Sequence, residues 1–387
     1  MILDSVLFSA TTIHLDHMMT ALNCLTPFGQ RDDVIITIDR DGLSFACENN
    51  HSIKIQLFLS KELFQYYNYR GDADGEDEDS HVKLSMKVNH ILDTVSVANR
   101  DKDDVMECTL SYNGDGYPFV IILEDSMITE KVEYSTYLLN DIDSTGLELD
   151  RTRLDFECII KGDILHSALK DLKEIGCKDC YIYTVTNTHT RPIFALISKS
   201  QLGFSKIILP SERSILEKLE IYDSDSTTIV HDSPVIGMFD FSSLDKLRLS
   251  TKIASKVLIR RDVHGLLTIN ILSQTNDVLM ADKKPATANR NNLPIEYPGI
   301  VIEVSLLEKA AADDVDVRDI HLLMTTSTTQ KITLSKCTAA EGSHISNVEK
   351  DSENLLGFKK PTNVSAQETN TDDSYHPAPS TNIPLFF

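Results

Sequence analysis

Apolar and polar residues alternate in short runs along most of the chain. Val34 to Asp39 (VIITID), Ser52 to Leu59 (SIKIQLFL), Val82 to Val88 (VKLSMKV) and Pro118 to Leu123 (PFVIIL) are short, rich in β-branched residues and bounded by Asp, Gly or Asn. That pattern predicts strands. It recurs at Tyr181 to Val185, Ile193 to Ile197, Phe204 to Leu209, Val235 to Phe239, Lys256 to Val263, Leu266 to Leu272 and Ile300 to Leu307. Four segments switch to helical spacing. Leu15 to Leu25 aligns Met18, Ala21, Leu22 and Leu25, and Asn89 to Asn99 aligns Leu92 and Val95. Asp163 to Ile175 aligns Leu165, Ala168, Leu169 and Leu172 ahead of Gly176, a C-terminal stop. Ser242 to Ala254 aligns Leu244, Leu247 and Thr251. Strands outnumber helices and never alternate with them one for one. The expected class is α+β, antiparallel sheets carrying a few helices, rather than a doubly wound parallel sheet.

The first and third helices repeat one another. Ala21, Leu22, Leu25 and Gly29 recur 147 residues later as Ala168, Leu169, Leu172 and Gly176. The second and fourth helices each follow a strand and precede a strand pair, with Gly turns at Asn113-Gly114 and His264-Gly265. So long a period means a duplicated domain rather than a solenoid. Gly71 to Ser80 (GDADGEDEDS), Asp282 to Pro294 and a tail from about Thr326 to Pro384 are polar or acidic and read as solvated spacers.

The formal net charge of −22 argues against a simple nucleic-acid binder, since phosphate affinity comes from Lys and Arg. One region reverses the sign. The third helix carries His166, Lys170 and Lys173 opposite its apolar face. Between Phe241 and Arg261, Lys246, Arg248, Lys252, Lys256, Arg260 and Arg261 face only Asp245. Taken alone, Lys170 and Lys173 read as a solvated helix face. Two related helices carrying basic faces together favour contact with phosphate, without sequence readout.

Other chemistry finds little support. The seven cysteines are scattered, and Cys177-x-x-Cys180 lacks a second pair at zinc-finger spacing. Cys180 reads as a small apolar residue on a strand, and the cysteine usage suits a reducing compartment. The N-terminus lacks the charge and apolar order of a signal peptide, and no apolar run approaches a membrane span. No phosphate-binding G-x-x-x-x-G-K-[ST] loop, G-x-S-x-G or H-E-x-x-H occurs. The densest carboxylate cluster, Asp72 to Asp79, lies in a loop, where metal ligands would lack rigidity. The expectation is a chain without enzymatic activity, cofactor or metal.

Several stretches carry a family resemblance: VEYSTYLL, LELDRTRLDFECIIKGDILHSALKDLKEIGCKDCYIY, FALISKSQLGFSKIILPSERSILEKLEIYDSDSTT, STKIASKVLIRRDVHGLLTINILSQ and YPGIVIEV. They resemble the Rad-one family of the nine-one-one checkpoint clamp, the Rad-seventeen type of budding yeasts, from about Leu15 to Leu307 and again at the last residues. That family is similar to proliferating-cell nuclear antigen. The resemblance implies a sliding-clamp fold of two similar domains, with sheets outside and four helices lining a central hole. Residues 1–140 would be the first domain, 141–152 the connector, 153–325 the second domain and 326–387 a tail. It implies a heterotrimer with two other clamp subunits, opened and placed on double-stranded DNA with recessed ends by a dedicated clamp loader. The loaded ring would signal to a checkpoint kinase and admit a translesion polymerase, in the nucleus and in meiosis. A 3′→5′ exonuclease, an activity once suspected in that family, and a scaffold that never surrounds DNA are the alternatives.

The same resemblance makes His166, Lys170, Lys173, Arg248 and Lys252 the DNA-facing set. Replicative clamps carry cations on all four helices. Here the first helix presents His17 and Asn23 and the second His90 and Asp93, so the first-half bore should be nearly neutral. Subunit joints would use edge strands at Val132 to Leu139 and Ile193 to Lys199, with Val132, Tyr134, Ile193, Ala195 and Ile197 at the contact. The chain ends in Ile383, Phe386 and Phe387, which resemble a clamp-docking peptide with Ser380 at the usual Gln position. Thr329-Gln330 has the form that damage kinases phosphorylate.

Overall fold

The computed structural model describes residues 6–29, 33–71, 81–98, 105–138, 147–189, 191–200, 203–223, 228–273, 297–309 and 315–325. Residues up to Thr325 form one compact unit. The loops at 72–79 and 282–294, the tail with its Thr329-Gln330 pair, and Ile383, Phe386 and Phe387 lie outside the described residues.

The first half runs β1 (Phe8–Thr12), α1 (Leu15–Asn23), α2 (Thr26–Gly29), β2 (Asp33–Ile38), β3 (Gly42–Asn49), β4 (Ile53–Ser60), β5 (Tyr66–Tyr69), β6 (Val82–Lys87), α3 (Val88–Ala98), β7 (Glu107–Tyr112), β8 (Phe119–Glu124) and β9 (Thr129–Tyr134). A short β10 (Tyr137–Leu138) follows. The second half runs β11 (Leu154–Lys161), α4 (Gly162–Glu174), β12 (Asp179–Val185), β13 (Ile193–Ser200), β14 (Gly203–Ile208), β15 (Leu216–Ile221), β16 (Val235–Asp240), α5 (Phe241–Asp245), α6 (Arg248–Ile253), β17 (Lys256–Asp262), β18 (Leu266–Leu272) and β19 (Val301–Leu307). A further helix, α7, spans residues 315–325.

The two halves share one plan. The orders β5-β1-β7-β8-β9 and β15-β11-β17-β18-β19 correspond strand for strand, as do β6-β2-β3-β4 and β16-β12-β13-β14. All the strand pairs between these elements are antiparallel. The helix repeat also holds, since Leu15 of α1 and Gly162 of α4 open their helices 147 residues apart. Between the halves, β4 pairs with β19 and joins two of the four sheets into one of ten strands.

Alternation explains this arrangement. Phe8, Ala10 and Thr12 of β1, Val34, Ile36 and Ile38 of β2, and Phe156, Cys158 and Ile160 of β11 turn inward and are buried. They pack beneath Met18 and Leu22 of α1, Ile91 and Val95 of α3, and Leu165, Leu169 and Leu172 of α4 in one continuous core. α4 ends as the sequence predicts. Gly176 takes φ +71°, and Cys177 N–H donates to the Leu172 carbonyl at 3.0 Å. Cys180 is a buried residue of β12.

A second, smaller core lies on the opposite face of the β14-β13-β12-β16 sheet. Tyr181, Tyr183, Val185, Ala195 and Ile197 are covered there by Ile320 and Met324 of α7. Asp316 anchors the start of that helix to Lys199 and to the Tyr181 hydroxyl. Lys206 Nζ donates to the Leu323 carbonyl near its end, at 3.2 Å.

Two readings of the sequence are corrected. Ile193, Ala195 and Ile197 do not lie on an edge. Their strand β13 pairs with β12 on one side and β14 on the other, and Ala195 and Ile197 are fully buried under α7. The edge is β14 (Gly203–Ile208). The fourth helix is not continuous either. It breaks at Lys246-Leu247 into α5 and α6, with Leu247 N–H donating to the Leu244 carbonyl.

Candidate nucleic-acid interface

The basic residues of the second half gather where α4 packs along α5 and α6. Gly162 makes that approach possible. A Cβ there would lie 2.3 Å from the Ala254 carbonyl oxygen and 2.6 Å from the Ala254 Cβ, so any larger residue forces the two helices apart. The His166 ring, half-buried, lies with Nδ1 2.8 Å from the Arg248 carbonyl and ties the middle of α4 to the start of α6.

Asp245 sits at the centre of the cluster. Its carboxylate accepts from Lys173 Nζ at 2.7 Å and from Arg248 Nε at 2.9 Å. Partial burial works against its charge, yet the two hydrogen bonds hold its pKa below the ordinary carboxylate value. Lys173 and Arg248 therefore reach solvent with part of their charge already balanced. Lys170 is exposed, and its pairing with Glu174 at 3.8 Å is long and solvated, so it stays available. Lys252 is exposed one turn beyond Arg248, with no ion pair among the described residues.

The structure thus brings all five expected residues onto one helix pair but divides their roles. Lys170 and Lys252 carry the open charge, Lys173 and Arg248 share a carboxylate, and His166 positions the helices. The rest of the basic stretch goes elsewhere. Lys246 Nζ lies 5.7 Å from the centre of the Phe28 ring in α2, a cation–π contact between the halves. Lys256 pairs with Glu217, Arg260 with Glu157, and Arg261 with Asp155 and Glu308. Sequence spacing could not separate these strand cations, balanced by neighbouring acids, from the helix cations.

The first-half helices contain no Lys or Arg. Asn23, His90 and Asp93 are exposed, as their helical positions predict. His17 is not: it is 3% exposed, and its Nε2 lies 2.9 Å from the Tyr297 hydroxyl. Tyr297 precedes β19 from across the chain, and helical periodicity gives no sign of that partner. Asp16 is exposed on the same helix. The surface is thus neutral to acidic in the first half and cationic in the second.

The three sheets end in β5 and β9, β10 and β15, and β14 and β16, each with one side unpaired among the described residues, and two of these six matter here. β9 closes the five-stranded sheet and β14 the four-stranded one. On β9, Val132 and Tyr134 are half-buried and pair in register with the buried Ile121 and Phe119. The Tyr134 ring stacks on His90 with centroids 5.2 Å apart, and its hydroxyl donates to the His90 carbonyl at 3.0 Å. The outward side chains of this edge are Lys131 and Glu133, paired at 2.6 Å. Val132 and Tyr134 thus lie on a terminal strand, with the Tyr134 side chain turned to α3. Among the described residues no group of three His, Cys, Asp or Glu side chains could hold a metal, and no helix is long and apolar enough to cross a membrane.

Duplicated halves, antiparallel sheets and two pairs of helices packed on them define a sliding-clamp fold. Solved structures agree. The proliferating cellular nuclear antigen of Entamoeba histolytica superposes with a TM-score of 0.53 at 14% identity, covering 79% of this chain and all of that one. That of Thermococcus kodakaraensis gives 0.54 at 12% identity, covering 78% of this chain and all of that one. The family model described as repair protein Rad1/Rec1/Rad17 matches residues 7–273, and the chain belongs to that family. It is 61% identical to the DNA damage checkpoint control protein RAD17 of Eremothecium gossypii over the whole of both chains. It is 55% identical to the Saccharomyces cerevisiae protein of the same name, over 98% of each. The rad1 checkpoint control protein of Schizosaccharomyces pombe is 27% identical, over 69% of this chain and 81% of that one. α7 lies beyond the stretch that the family model matches.

Proposed function

We propose that this chain is one arc of a checkpoint clamp, a heterotrimeric ring that encircles double-stranded DNA at damage sites and recruits other proteins. One observation carries the reading. In the duplicated plan β9 corresponds to β19 and β14 to β4, and β19 and β4 pair with each other to join the halves. Among the six strands that end the three sheets, β9 and β14 are the mates of the two that make the internal joint. A chain built this way continues head to tail into neighbours through the same kind of pairing, and such a repeat closes into a ring. Lys170, Lys173, Arg248 and Lys252 then supply weak phosphate contacts on the helical side, and enclosure rather than affinity keeps the ring on its polymer.

The two other subunits, a loader that opens the ring at recessed ends, a checkpoint kinase and a translesion polymerase are the partners this function requires. Nuclear residence and a meiotic role go with it, as does the absence of catalysis by the chain itself. Ile383, Phe386 and Phe387 act in this reading as an aromatic anchor for docking. The test is retention on circular against linear DNA, with the two other subunits, the loader and ATP present. The ring should stay on circles and run off free ends. Equal loss from both, or equal retention on both, overturns the proposal.

A further inference from the structure

The internal joint gives a register for the external one. Strand order sets β9 against β19 and β14 against β4, and the alignment is taken by matching inward-facing cross-strand pairs in the two halves. Val132 and Tyr134 pair with Ile121 and Phe119, as Val304 and Leu306 pair with Ile269 and Leu267. Ile207 faces the main core and pairs with Leu196, as Leu57 pairs with Phe45. Inside the chain, β19 meets β4 with Ile302 opposite Leu57, Val304 opposite Ile55 and Leu306 opposite Ile53 on the core side. Outward, Glu303 faces Gln56 and Ser305 faces Lys54. Every core-side pair is apolar, and no outward pair carries like charges.

Carried over to β9 meeting the β14 of a second copy, the same register gives a poor joint. On the core side Glu130 falls opposite Ile207, Val132 opposite Ser205 and Tyr134 opposite Gly203. On the outer side Lys131 falls opposite Lys206, and Glu133 opposite Phe204. Both lysines are placed for that collision. Lys131 is exposed beside Glu133, and Lys206 is held on the outer face by the Leu323 carbonyl of α7. Like charges directly opposite across a strand pair destabilise it, and a carboxylate set among apolar side chains loses its hydration.

We propose that the β9 and β14 edges of this chain reject each other and that each selects a strand of complementary chemistry from a different chain. β14 takes a strand that sets a carboxylate opposite Lys206 and an apolar side chain opposite Ile207. β9 takes a strand that sets a carboxylate opposite Lys131 and a polar or cationic group opposite Glu130. The inference rests on the clamp reading and adds to it the residues that keep the ring mixed, a rejection written into the edges themselves.

Charge reversal in the purified full-length chain tests it, read as self-association by sedimentation at low salt. Lys131→Glu and Lys206→Glu should each strengthen self-association roughly tenfold over the unaltered chain, since each turns the repulsive pair into an attractive one. The double variant, with two carboxylates facing, should return to the unaltered level. Melting temperatures confirm that each variant is folded, and the exposed Lys131 keeps one arm of the cycle safe from misfolding. Single variants that associate no better than the double, or an unaltered chain that trimerises alone, overturn the inference. Mixing with the two other subunits separates the readings. If a mixed ring forms while the charge cycle is flat, only the register falls. If no mixed ring forms, the clamp reading falls as well.

Discussion

Nε2 of His17 lies 2.9 Å from the Tyr297 hydroxyl, with the rings 5.0 Å apart and at 80°, a contact that spans 280 positions of sequence. It fastens α1 to the segment that leads into β19. Burial lowers the imidazole pKa from 6.5 to about 4, and like charge from His14 adds to the shift. Between those values the unfolded chain holds more protons on this ring than the folded one. Its contribution is therefore complete above about pH 6.5 and is lost as pH falls toward 4, by roughly 3 kcal/mol at most. Urea unfolding at several pH values should show this slope, and His17→Phe should flatten it. Tyr297→Phe should cost about 1 kcal/mol at pH 7.

The open cations predict a graded response to charge change. Lys170→Glu and Lys252→Glu should each shorten retention on circular DNA at low salt, and together should lower the salt slope by about 2. Lys173→Glu should act less, because Asp245 already holds that side chain. Lys256→Glu, on strand β17, should leave retention unchanged. Half-lives of loaded rings across a salt series give the comparison.

Asp245→Asn removes the carboxylate shared by Lys173 and Arg248. Retention at low salt should rise roughly two- to fivefold as both cations turn to phosphate. A fall instead would mean that Asp245 holds the α4–α6 geometry more than it masks charge.

Arg261 is mostly buried, and its guanidinium bridges Asp155 and Glu308 between β17, β11 and the end of β19. Glu308 also accepts from Met238 N–H at 3.0 Å. Arg261→Ala leaves two carboxylates without a counter-charge and should cost about 3–5 kcal/mol in urea denaturation, well above a surface ion pair.

Gly162→Ala should cost roughly 1–3 kcal/mol by pushing α6 off α4. The same variant should weaken DNA retention, since Arg248 and Lys252 move with α6. A variant of normal stability and normal retention would show that the helices have room to spare.

Periodicity is enough for the class, for eleven of the strands and for the core residues of the four predicted helical segments, because each of those runs buries one face. It failed where a residue's partner is remote or its strand is mixed. Gly42–Asn49 (GLSFACEN) gives no clean alternation, because Gly42 to Phe45 are all buried in succession and the outer residues later in the strand are only partly exposed. α7 shows Ile320, Leu323 and Met324 at helical spacing, but short length and flanking acids hide it until the sheet face it covers is known. The basic patch was legible as charge. Its division was not, since only geometry separates Lys252 from Arg260, which is paired to Glu157 at 2.7 Å. Ile193 passed for an edge because the edge strand follows it by one hairpin.

Six consecutive residue pairs stitch Val301–Leu306 to Ile53–Phe58, making the waist of this chain as firm as the middle of any sheet. A hoop made of such staves does not bend open through the wood. In the proposed ring, a machine that threads DNA through would gain its gap by parting one seam between neighbours, and the seam with the poorest fit would give way first.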